Sequence, residues 1–110
     1  MLDTTPLTDA VDRLSDRLRG APQSRLQRGV AAEALALARE LSVRAQRLEG
    51  AGGEGCQELR IMPDLGVFAV ADQLAVAAGD LAEALRTAPS AVELDEAVGS
   101  VERVAATARL

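Results

Sequence analysis

The chain has 110 residues, a formal net charge of −5 and 48% apolar residues, enough for one domain whose core withdraws roughly two-thirds of the unfolded surface from water. The apolar share is 22 Ala, 16 Leu and 10 Val with one Phe and neither Trp nor Tyr, so the core must be aliphatic and closely spaced. Histidine is absent, which removes the usual general base and the commonest metal ligand, and a single cysteine, Cys56, rules out an internal disulfide.

The first helix is expected to start at Thr5 as cap with Pro6 in its first turn. Leu7, Val11, Leu14 and Leu18 follow at helical spacing, and Gly20 and Pro22 end the element. Asp9, Asp12, Arg13, Asp16 and Arg17 form its outer face.

A second, longest helix is expected from about 22–24 to 49, ending at Gly50 and spanning roughly 39 Å. One stripe is Val30, Ala31, Ala34, Leu37, Ala38, Leu41, Ala45 and Leu48. Ala32, Leu35, Ala36 and Val43 form a second patch that points elsewhere, and a helix apolar on so many sides needs cover on as many.

Gly50, Gly52 and Gly55 match the spacing G-x-G-x-x-G. A dinucleotide loop follows a strand and opens a helix, whereas this stretch follows a helix, so it reads as a connector. No Lys is present to complete a Walker loop. Cys56 has Arg60 as its nearest positive charge in sequence and is expected to be a silent thiol. Leu59 and Ile61 alternate with polar neighbours, which predicts a short extended segment lying across one end of the helices before Pro63.

A third helix is predicted over 64–86, with Val67, Ala71, Leu74, Ala78, Leu81 and Leu85 on one stripe and Phe68, Val70 and Ala77 beside it. Gly66 and Gly79 weaken it and are read as points of close helix approach. Ser90-Ala-Val-Glu93 is a capping box that opens a fourth helix, with Leu94, Val98, Val101, Ala105 and Ala108 facing inward.

These elements predict an all-α fold: an antiparallel up-down four-helix bundle over residues 1–110, with a short first helix and one longer Gly-rich connector. The first helix is too short to cover the second, which leaves Leu35, Ala36 and Val43 under-protected and predicts a homodimer through that helix. Ala31 and Ala38 are the close-packing positions if the faces are reversed.

Charge is segregated: residues 13–28 hold five Arg against Asp16 alone, while residues 49–110 hold 4 Arg against 11 acids. Arg13, Arg17, Arg25 and Arg28 near a helix start form a candidate anion or nucleic-acid site. The acidic total and lack of stacking aromatics weigh against nucleic acid. Asp80 with Glu83 and Glu93 with Glu96 are spaced i, i+3, the raw material of a Mg²⁺-dependent phosphohydrolase.

The reading preferred on sequence is a non-catalytic interaction or regulatory protein with no cofactor or metal. The lone cysteine, the absence of a basic start with an apolar run, and the lack of a long apolar segment predict a cytoplasmic location and no membrane span. The all-Arg basic set, with Lys and Asn absent, matches the codon bias of a GC-rich bacterial genome.

Overall fold

The computed structural model describes residues 2–50 and 58–108, and among them every regular element is helical. The Gly52, Gly55 and Cys56 readings fall outside the described residues.

Helix α1 (Thr5–Gly20) buries the four leucine and valine positions its spacing assigns inward: Leu7, Val11, Leu14 and Leu18. Its start differs in detail from the expectation. Thr4 is the cap residue and Thr5 the first helical one; the Thr5 amide donates to the Asp3 carboxylate at 3.0 Å. Pro6, second in the helix, has no amide to satisfy, and the Leu7 and Thr8 amides donate to the Thr4 carbonyl.

The second predicted helix is divided. Helix α2 is one turn (Gln23–Arg25), followed by a kinked stretch (Leu26–Val30) and then helix α3 (Ala31–Gly50). The break lies at Gly29, whose φ of 119° is a backbone state open to glycine and costly for residues with a side chain. Within α3 the predicted stripe holds: Ala34, Leu37, Ala38, Leu41 and Ala45 are buried, and Val30, Ala31 and Leu48 pack against them at the margin.

Residues 58–66 carry no regular structure and run alongside α3 as a strap, where an extended segment across the helix ends was expected. Gln46 holds it as a strand neighbour would: its Oε1 accepts the Arg60 amide and its Nε2 donates to the Arg60 carbonyl, both at 2.8 Å. Two turns earlier in α3, Arg39 Nε donates to the Met62 carbonyl at 2.8 Å. The strap therefore travels along α3 toward its N-terminus.

Helix α4 (Val70–Thr87) begins six residues later than the predicted start at 64. Asp64 Oδ1 accepts the Gly66 amide at 2.9 Å, and Gly66 has a φ of 93°, so the chain turns before the helix can form. Ala71, Leu74, Ala78, Leu81 and Leu85 are buried as the stripe requires, with Val67 half-buried. Gly79 is exposed and nothing stands near the place a Cβ would take, so it marks no close helix approach.

Helix α5 (Ala91–Ala108) opens with the Ser90 Oγ accepting the Glu93 amide at 3.1 Å. The other half of the capping box is replaced, because the Glu93 carboxylate turns to Arg44. Leu94, Val101 and Ala108 are buried, and Val98 and Ala105 sit at the core margin.

Close packing joins α3 to α4, α4 to α1, α1 to α5 and α5 to α3, so each long helix rests on two others around one aliphatic core. The small side chains of Ala34, Ala38, Ala71 and Ala78 let these backbones approach. Ser15 joins the core with its hydroxyl donating to the Ala71 carbonyl at 3.4 Å, which ties α1 to the start of α4.

Candidate functional site

Leu35, Ala36 and Val43, the interface residues expected on the second helix, stand in three different surroundings. Leu35 is 8% exposed and belongs to the chain's own core, because the kink at Gly29 and the strap bring Leu26, Val67 and Val70 over it. Val43 is half-buried between α3 and α5 in a hollow bounded by Arg44, Arg47, Glu93 and Glu96. Ala36 is exposed but offers one methyl group. Of the two alternative close-packing positions, Ala38 is fully buried and Ala31 half-buried.

Apolar surface lies instead where the strap meets α4. Leu65 and Val76, 63% and 59% exposed, line one hollow of about 280 Å³ with Met62, Pro63 and Ala69. Ile61 (60%) and Phe68 (79%) are the chain neighbours of Met62 and Ala69 in that lining. Phe68 was expected beside the third helix's inner stripe; the turn at Gly66 ends that register and leaves the only aromatic ring in water. Asp72, which lines the same hollow, is met by Arg19 Nη2 at 2.8 Å. That contact also raises the Arg19 pKa.

The four arginines proposed for anions are divided between hollows. Arg17 and Arg25 share one at the corner after α1, and Arg13 and Arg17 line another with Glu102. Arg25 donates to the Ala108 carbonyl at 3.1 Å, and Arg28 stands exposed on the kinked stretch outside both.

The carboxylates are drawn to arginine. Arg44 donates to Glu40 at 3.0 Å, Glu93 at 2.6 Å and Glu96 at 3.3 Å, joining α3 to α5. Partial burial works against the Arg44 charge, but the hydrogen bonds it donates to Glu93, Glu40 and Glu96 outweigh it and raise the pKa. Glu83 pairs with Arg86 at 2.8 Å, and among the described residues no group of three or more acidic or thiol side chains is placed to hold a metal ion.

A last feature lies under the strap. Gln73 on α4 is 8% exposed; its Nε2 donates to the Pro63 carbonyl at 2.7 Å, and its Oε1 has no partner. Reversing the amide would set two oxygens against each other, so the orientation is fixed and the orphan acceptor costs about 1–3 kcal/mol. Nothing in the sequence marks Gln73, a polar residue between exposed Asp72 and buried Leu74. Leu65 and Val76 were legible only as positions off the inner stripe.

No helix among the described residues is long and apolar enough to cross a membrane. No protein-family model matches the chain, and no curated protein or solved structure matches it either.

Proposed function

We propose that this chain is a non-catalytic interaction module of the cytoplasm that pairs with a second copy of itself through the apolar surface of the strap and the start of α4. The carrying observation is the cluster Ile61, Leu65, Phe68 and Val76, exposed beside an apolar hollow. At about 150–200 Å² for a fully exposed side chain of this kind, the four leave on the order of 450 Å² of apolar surface in water. A standard interface uses about 800 Å² per partner, of which about 57% is apolar, so the cluster supplies the apolar part of one dimer face. A twofold pairing requires no second surface, because the same patch serves both copies. The scaffold that carries it is read as one up-down antiparallel bundle over residues 1–110.

Light scattering over a concentration series tests this. Wild type is expected at twice the 11.4 kDa chain mass. Phe68→Glu and Val76→Glu should each weaken pairing by about 30-fold or more, the scale of an interface hot spot, with unchanged helical circular dichroism. Wild type at single-chain mass throughout would end the reading. Persistence of the dimer in both variants would remove the surface from it.

A further inference from the structure

We infer, resting on the self-pairing reading, that the contact is reciprocal: the Phe68 ring of each copy seats in the apolar hollow of the other. Phe68 is the sole aromatic residue of the chain and, at 79% exposed, fills no hollow of its own copy. The aliphatic core closes without it.

The hollow lies next to the ring. Leu65, Ala69, Asp72 and Val76 line it at intervals of three and four residues, along one side of the turn and the first turns of α4. Phe68 follows Leu65 by three residues and precedes Asp72 by four, so it stands on the bank of the hollow. The strap adds Met62 and Pro63 to the lining.

Size and charge select the occupant. An aliphatic cavity of about 150 Å³ admits benzene, so a hollow of about 280 Å³ takes a phenyl ring together with its Cβ. Leu65 and Val76 are already walls, which leaves Phe68 as the largest exposed apolar side chain able to enter from another copy. Asp72 is the one charged residue in the described lining, and Arg19 pairs with it at 2.8 Å. An acidic or a basic partner would meet no net charge here. A second copy brings a ring to each hollow and an Arg19–Asp72 pair that is self-complementary about a twofold axis.

With one Phe in the chain, para-fluorophenylalanine labels a single position. The ¹⁹F resonance of the full chain should move with concentration as dimer forms and lose its shift difference between light and heavy water, as a ring leaving solvent does. Phe68→Ala removes the ring. Val76→Trp closes the hollow, because a helical side chain leans over the preceding turn, here Asp72 and Gln73. Each variant should weaken self-pairing by about 30-fold with unchanged helical circular dichroism. Mixed in equal amounts, the two should form a dimer of one copy each, about fivefold tighter than either alone, because one intact ring meets one open hollow. Wild type at single-chain mass throughout would remove self-pairing and the seat with it. A wild-type dimer whose ring stays in water, a variant that pairs as wild type does, or a mixture no tighter than its components would overturn the seat and leave the pairing reading standing.

Discussion

The aliphatic core and the strap are held by opposite means. Between α1, α3, α4 and α5 the ties are leucine and alanine contacts, with Leu7, Leu41, Leu74, Leu81 and Leu85 almost fully removed from water. Along residues 58–66 the ties are side chains reaching backbone: Gln46 to Arg60, Arg39 to Met62 and Gln73 to Pro63. Core contacts are numerous and individually replaceable in kind. Strap contacts are few and directional, so the strap can present Ile61 and Leu65 outward at little cost to the fold. A segment pinned by its backbone leaves its side chains free for another surface.

The largest expected effect breaks the core. Leu74→Ala or Leu81→Ala removes a fully buried side chain and should cost about 2–5 kcal/mol, a large share of a small domain's stability, read from the urea midpoint. Next comes the strap. Gln46→Ala deletes both hydrogen bonds to Arg60 and should cost about 1–2 kcal/mol, with amide exchange of residues near 60 accelerated far more than exchange in α4. Equal acceleration in both would show that strap and core open as one unit.

Arg44→Met sharpens the boundary between the two kinds of tie. It removes a guanidinium, on a side chain only 21% exposed, that is shared by Glu40, Glu93 and Glu96, and should cost about 1 kcal/mol after allowance for solvent screening, with the effect reduced in high salt. Phe68→Ser, on the outward surface, should change folding stability by no more than about 0.5 kcal/mol while it impairs pairing.

The smallest effect is at the start of α1. Hydrogen bonding to Thr5, side chain and backbone, holds the Asp3 carboxyl below its ordinary 3.8. A depressed folded-state pKa gives stability that is present above the ordinary value and lost as pH falls through the folded one. Asp3→Asn should therefore lower the melting temperature slightly at neutral pH and flatten its acid limb, so that variant and wild type converge below about pH 4.

Helical periodicity made most of the core readable in advance. Leu7, Val11, Leu14 and Leu18 in α1, and Ala71, Leu74, Ala78, Leu81 and Leu85 in α4, are where 3.6-residue spacing places them, since a stripe of that width must face the interior. Glycine was less readable. Gly20 ends α1 as expected, but Gly29 breaks a helix that its neighbours would continue, and Gly66 delays one that its neighbours would begin. A glycine permits a turn without requiring it, and the choice falls to whatever packs on either side.

The same limit explains why the exposed apolar surface was not foreseen. Sequence showed that the second helix carries apolar side chains in two directions, and that excess was real. It could not show that a kink and a strap would seal Leu35 inside the chain, or that the strap's own Leu65, with Phe68 and Val76, would be left outside. Local spacing, set by backbone geometry within a few residues, fixed the elements and their inner faces. Only the tertiary structure decided which surface stays uncovered, because cover for a given residue comes from chain that is distant in sequence and arrives there by long-range packing.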